Sequence, residues 1–199
     1  MEEKIEQIKK WLGTGSINMF GLPCSGKDTI GHSLANLLGA EFISSGELLR
    51  AAGEEVQNSG QLSPTNVFYD VVLPAFAKPT LGNKALILSS IGRWQGEEQR
   101  IIQATADNGH PIKSVLYIQI AEDEIYRRLD IADTVGDRAK RDDDQRSKVQ
   151  TRIDEFHNKT LPVIDVYRNM GILVEINGQQ SREEVFAEVV DKLYEFSKS

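Results

Sequence analysis

Gly21-Leu22-Pro23-Cys24-Ser25-Gly26-Lys27-Asp28-Thr29 is the stretch on which the fold turns. It follows a short apolar run, Ile17-Asn18-Met19-Phe20. Behind it Ile30, Leu34, Leu37 and Leu38 recur at helical spacing, and Gly39 offers a stop. An apolar strand, a glycine-rich loop and a helix form the setting that a phosphate-binding loop requires. The glycines permit a tight turn whose backbone N–H groups converge on phosphate oxygens. The helix start adds about half a positive charge, and Lys27 neutralises the outer phosphates. One feature departs from the generic pattern. Asp28 follows the lysine directly, and the hydroxyl comes one residue later, at Thr29. Aspartate suits the first turn of a helix. It also sets negative charge beside phosphates, which is tolerable only if it faces away or binds magnesium through water.

Outward from the loop, strands and helices alternate. Glu41-Phe42-Ile43, Ala85-Leu86-Ile87-Leu88, and residues 115–120 and 172–176 read as further strands. They are apolar on both faces, as strands of a parallel sheet covered by helices must be. The expected fold is α/β: a three-layer α/β/α architecture around a five-stranded parallel sheet, with a P-loop after the first strand. Ser44 with Glu47, and Ser181 with Glu184, have the spacing of capping boxes. Ser63-Pro64 reads as an N-cap followed by proline at the first helical position, and Pro74 as the end or a kink of that helix. A helix is expected from 143 to about 158, and another from Thr160. Two segments interrupt the alternation, 44–76 and the polar stretch 130–142. Both are expected as small insertions on the carboxyl edge of the sheet, where ligands bind in such folds. The whole chain, 1–199, then reads as one domain.

Composition narrows the chemistry. The 199 residues include 23 lysines and arginines against 30 aspartates and glutamates, a net charge of −7. That field opposes nucleic-acid binding. No apolar run approaches the roughly 20 residues of a membrane span, and Met1-Glu2-Glu3-Lys4 does not resemble a secretory leader. The single cysteine permits no intrachain disulfide and no cysteine zinc cluster. His32, His110 and His157 are scattered, so no directly ligated metal is expected, and a reducing cytoplasm is. An anionic substrate must be held by local cations. Arg50, Arg93, Arg128, Arg138, Arg141 and Arg152 fall mostly at element ends on the expected ligand edge.

With these residues in place the chain resembles the adenylate kinases and the wider nucleoside monophosphate kinases, of the short-lid type. Gly21-x-Pro23-x-x-Gly26-Lys27-x-Thr29 is similar to their phosphate loop. Ser44-Ser45-Gly46-Glu47-Leu48-Leu49-Arg50 and Gly60-Gln61-Leu62-Ser63-Pro64 resemble their monophosphate-binding segment. Arg141-Asp142-Asp143, with Arg152 and Thr160-x-Pro162 downstream, resembles the closing edge of their lid. The resemblance runs in order through almost the whole chain. It implies that Cys24, Ser25, Gly26, Lys27, Asp28 and Thr29 hold the ATP phosphates, with Arg128 and Gln180 near the ATP base. It implies a monophosphate site of Ser45, Arg50, Gln61, Leu62, Ser63, Gly92, Arg93 and Gln99. It places Lys27, Arg93, Arg138, Arg141 and Arg152 around the transferred phosphoryl group, the last two also touching the monophosphate.

The departures from the family pattern are specific. Its usual Asp-Gly-Phe-Pro-Arg is Ser89-Ser90-Ile91-Gly92-Arg93 here, so the carboxylate that helps organise magnesium is a serine. The base-reading glutamine four residues after the arginine is Glu97, with Gln99 nearby. A usual lid arginine falls near Ala132, and Arg138 is expected to replace it. The implied activity is reversible transfer of the ATP γ-phosphoryl group to a nucleoside monophosphate, AMP first, giving two ADP. Mg2+ arrives with ATP, and a monomer is expected. A CMP, UMP or dCMP kinase, or a catalytically weak nucleotide-binding module, stands as the alternative.

Overall fold

β1 (Ser16–Gly21) lies at the centre of the sheet in the computed structural model, which describes residues 1–53, 59–135 and 146–198. Its neighbours are β3 (Leu86–Ser89) and β4 (Ile112–Gln119), with β2 (Glu41–Ser44) and β5 (Leu173–Asn177) outside them. The order is β2-β3-β1-β4-β5, and every pairing is parallel. From β1 the chain winds to one edge, returns to lay β3 beside β1, then crosses to β4 and β5. Winding thus reverses at β1, and this reversal opens a crevice at the carboxyl ends of the central strands. The expectation of a five-stranded parallel sheet between helical layers is met.

The two-residue period of a strand explains the layers. Ile17 and Met19 face a core shared with α1 (Glu2–Leu12), α2 (Lys27–Leu38) and α9 (Arg182–Phe196), through Ile8, Leu34 and Val189. Phe20 faces the opposite way, against Ile125 of α6 (Glu122–Val135), Val149 of α7 (Arg146–Glu155) and Tyr167 of α8 (Leu161–Asn169). Burying one such side chain stabilises the fold by roughly 1.5–3 kcal/mol. A third cluster joins Leu86 and Leu88 of β3 to Leu49 of α3 (Ser45–Ala51), Phe68, Val72 and Phe76 of α4 (Thr65–Phe76), and Ile101 of α5 (Glu97–Asp107). The segment between β2 and β3 is therefore anchored on the sheet by its own apolar face.

Some local expectations are corrected. The capping box forms at Ser181, whose hydroxyl accepts from the Glu184 N–H while the Glu184 carboxylate accepts from the Ser181 N–H. It does not form at Ser44, which remains in extended backbone because α3 follows β2 with no turn between them. Ser63 is buried and does not cap; Pro64 holds the N-cap position, and α4 starts at Thr65. Pro74 sits in the last turn of α4, where the helix ends two residues later in any case. α6 runs on to Val135, so the stretch from 130 begins as helix, and the rest of the expected 130–142 lid lies outside the described residues. No helix break occurs at Thr160. A π turn, Phe156–Thr160, joins α7 to α8 without interruption.

Candidate active site

The loop after β1 is shaped by backbone crowding. A Cβ at Gly21 would stand 2.6 Å from Ser25 Oγ and 2.8 Å from the Ile118 carbonyl, so no side chain fits there. Gly26, at φ 83°, hands the loop to α2 in the left-handed region that glycine enters without strain. Cys24 holds φ 60° without that freedom, a conformation costing on the order of 1–3 kcal/mol and concentrated at functional loops. Residues 24–29 line a cleft of about 500 Å3, closed on its far side by Arg128, Gly178, Gln180 and Val185. That volume suits a nucleotide. Arg128 forms a wall of the cleft. Its guanidinium donates to Cys24 O at 3.1 Å, Gly178 O at 2.6 Å and Glu124 Oε1 at 2.6 Å. Gln180 donates to Glu188 Oε2 at 2.6 Å, which orients the loop after β5.

A second, smaller cavity of about 60 Å3 adjoins the first. Lys27, Asp28, Ser45, Arg50, Gln61, Ser89, Arg93 and Arg152 line it. It has room for a phosphate group but not for a nucleoside. A third, less polar cavity continues from it through Ser45 and Arg93, and its walls include Leu49, Leu62, Ser63, Phe68 and Trp94. Together they make a phosphate slot with an apolar extension. Lys27, Asp28 and Arg152 line both the slot and the large cleft. Cations from four distant parts of the chain, α2, α3, the loop after β3, and α7, thus meet at one gap.

Buried polar clamps hold the slot and its extension. Asn18 of β1 donates to Ile91 O at 2.7 Å and accepts from Ile91 N, which fixes the loop after β3. Ser45 Oγ donates to Ser90 O at 2.8 Å. Glu97 is buried; one oxygen accepts from Thr65 Oγ1 at 2.7 Å and the other from the N–H groups of Arg93 and Trp94 at 2.9 and 3.0 Å. Burial raises the Glu97 pKa, and these hydrogen bonds oppose the rise. Arg93 Nε donates to Thr160 Oγ1 at 3.3 Å, across from the π turn. Desolvation, then the nearby Arg152, pushes the Arg93 guanidinium down to about 10. It remains charged at neutral pH, and two half-buried cations held close together form a site that an anion relieves.

Most of the residues expected from sequence come together here: 24–29, Arg128 and Gln180 in the large cleft, and Ser45, Arg50, Gln61, Leu62, Ser63, Arg93 and Arg152 in the slot and its extension. Gly92, next to Arg93, lines none of these cavities; it holds φ 75°, and a Cβ there would stand 3.0 Å from Ile101 Cγ1. Gln99 is not brought to the site; it is exposed on α5 and lines none of these cavities, because it faces away from the side of α5 that carries Glu97 and Ile101 inward. Arg138 and Arg141 lie outside the described residues. Sequence reasoning missed Glu97 as a clamp, Thr160 as a partner of Arg93, and Glu124 as the acid that orients Arg128. Only Glu124 left a readable sign, its four-residue spacing from Arg128.

Among the described residues no group of three His, Cys, Asp or Glu side chains could cage a metal. The Asp28 carboxylate, which lines both cleft and slot, and the Thr29 hydroxyl, which lines the cleft, instead suit Mg2+, which keeps most of its waters and binds through one or two carboxylates and substrate phosphates.

Fold and site together define a P-loop phosphotransferase that works on nucleotides. Comparison with known proteins names the family. Residues 19–172 match the adenylate kinase family model. The chain is 31% identical to adenylate kinase isoenzyme 1 of Caenorhabditis elegans, over 87% of this chain and 84% of that protein. It is 30% identical to an adenylate kinase of Azobacteroides pseudotrichonymphae, over 89% and 96%, and 29% identical to one of Bacteroides thetaiotaomicron, over 89% and 99%. This chain belongs to the adenylate kinase family, and is thus a nucleoside monophosphate kinase.

Proposed function

We propose that the protein interconverts ATP and AMP with two ADP by direct phosphoryl transfer in the gap between cleft and slot. The observation that carries this reading is the sharing of Lys27 and Arg152 by two adjoining anion sites of different size. A triphosphate in the cleft and a lone phosphate in the slot meet there, with cations on both sides. No covalent intermediate is required. The acceptor phosphate attacks in line, and the arginines stabilise charge spread over the equatorial oxygens.

In this reading the backbone N–H groups of 24–29 bind the donor phosphates, while Lys27 follows the moving group. Ser45, Arg50 and Arg93 hold the acceptor phosphate, with Gln61, Leu62 and Ser63 beside its nucleoside, and Arg152 faces the transferred phosphoryl. The segments 44–76 and 130–142 act as acceptor-binding insertion and short lid, excluding water that would otherwise hydrolyse ATP. Arg138 and Arg141, outside the described residues, are the remaining cations that this reading assigns to the transferred phosphoryl group. Mg2+ bound with ATP neutralises its phosphate charge. The protein acts as a cytoplasmic monomer; no helix among the described residues is long and apolar enough to cross a membrane. The test is a panel of AMP, CMP, UMP and GMP at fixed MgATP. AMP is expected to give the highest kcat/KM, and a higher value for CMP or UMP overturns the acceptor assignment.

A further inference from the structure

Among the described residues, Asp28 is the one acidic side chain that lines both the nucleotide cleft and the phosphate slot. It stands in the first turn of α2, and its Oδ1 lies 4.0 Å from Lys27 Nζ. Ser89, the last residue of β3 and almost fully buried, donates to the same oxygen at 2.6 Å. A carboxylate so placed repels both phosphate chains unless a cation stands between them. A buried serine also spends its hydroxyl on fixing it. Neither feature helps a site that binds phosphates through cations alone.

The two residues account for each other. At the end of β3 the family pattern has a carboxylate and this chain has a serine; across one hydrogen bond, on the facing helix, this chain has the carboxylate. We infer that the acidic group serving the nucleotide-bound Mg2+ has moved from the end of β3 to the P-loop helix: Asp28 accepts hydrogen bonds from the water shell of the cation, and Ser89 positions Asp28. This rests on the reading of the protein as an ATP-dependent kinase. An outer-shell acceptor suits a cation that surrenders its waters reluctantly. It also accounts for an aspartate beside the P-loop lysine, where it would otherwise only weaken phosphate binding.

The test uses a non-hydrolysable ATP analogue, with affinity measured by calorimetry in EDTA and in Mg2+, and bound Mn2+ counted by electron paramagnetic resonance. In the unmodified protein the cation is expected to tighten analogue binding. Asp28→Asn keeps the hydrogen bond to Ser89 and removes the charge. The cation-dependent tightening is expected to fall about 10- to 100-fold, the usual effect of losing an outer-shell partner. Analogue binding in EDTA is expected to strengthen, because the repulsion is gone. The exchange Asp28→Ser with Ser89→Asp is expected to recover most of the cation dependence. An Asp28→Asn protein with the cation dependence of the unmodified one overturns the inference, as does an exchange variant no better than Asp28→Asn. Should Asp28→Asn fail to fold, the exchange variant and Ser89→Ala decide, the latter being expected to lose part of the tightening. Failure of the wider reading looks different: the unmodified protein would then phosphorylate no nucleoside monophosphate at all.

Discussion

The donor cleft and the acceptor slot are built by opposite strategies. The cleft is lined along one side by consecutive residues, 24–29, whose backbone groups are the ones proposed to bind the donor phosphates. The slot is assembled from 44–50, 60–61, 89–93 and Arg152, and it works through side chains. Crowding at Gly21 and the left-handed Gly26 fix the cleft locally. The slot depends on remote clamps: Asn18 on Ile91, Glu97 on the Arg93 turn, and Thr160 on the Arg93 guanidinium. A backbone-made site should tolerate side-chain changes at Cys24, Ser25 and Thr29 better than at Gly21, Gly26, Lys27 or Asp28. A side-chain site should be damaged from its second layer as well as its first.

The largest effects are expected at the cations assigned to the transferred phosphoryl group, one lining both cavities and one the slot. Lys27→Ala and Arg93→Ala should each lower kcat about 10²–10³-fold, the scale for removing one well-aimed donor to transition-state charge. A coupled assay for ADP formation measures this. Near-normal turnover in either variant would break the comparison at its root, since the shared gap would not be where the phosphoryl group moves.

Next comes Arg50→Ala. Arg50 lines the slot alone and touches no part of the cleft. A charged hydrogen bond to the acceptor phosphate is worth about 1.5–3 kcal/mol, so KM for AMP should rise about 10- to 100-fold while KM for ATP barely moves. Equal increases in both would show that the two sites are not separable.

The same contrast governs what could be read from sequence. The cleft was legible because its residues are contiguous and the phosphate loop has a fixed spacing. The sheet was legible because strands buried on both faces are continuously apolar, as at 85–88 and 115–120. Arg50, Arg93 and Arg152 were legible as cations at element ends, and the resemblance supplied their roles. The clamps were not. Glu97 was read as a displaced base-reading residue, yet both its oxygens are taken by Thr65, Arg93 and Trp94, a fact of three-dimensional hydrogen bonding that no spacing encodes. Closeness in sequence makes Gln99 the expected substitute, but two residues along a helix turn a side chain about 200° away. The π turn at 156–160 was invisible because its sequence reads as an ordinary boundary ahead of Pro162.

Glu97→Ala sharpens the comparison further. It leaves the N–H groups of Arg93 and Trp94 and the Thr65 hydroxyl without their acceptor, at about 1–3 kcal/mol for each group that stays buried and unsatisfied. The melting temperature should fall, and KM for AMP should rise about tenfold through the loosened Arg93 turn. KM for ATP should stay within about twofold, because the cleft is fixed independently. Glu97→Gln keeps one acceptor oxygen and should fall between the two. A larger effect on ATP than on AMP would contradict the independence of the donor side.

The smallest expected effect falls on the donor side, where one side-chain clamp does operate. Glu124 holds Arg128 against the phosphate loop and the loop after β5. The hydrogen bond from Arg127, then that from Arg128, holds the Glu124 carboxyl down to about 2 against an ordinary 4.5. A depressed carboxylate stabilises the folded state while ionised. Its contribution is whole above about pH 4.5 and drains away as pH falls towards about 2. Glu124→Gln removes that dependence, so its thermal stability should decline less than that of the unmodified protein between pH 5 and 3. At neutral pH, Arg128 keeps its bonds to Cys24 and Gly178. KM for ATP should therefore rise only a few-fold, the scale of losing a single partly exposed ion pair. If the change instead matched that of Arg50→Ala, the cleft would prove as dependent on side-chain clamps as the slot, and the difference between the two sites would reduce to one of size.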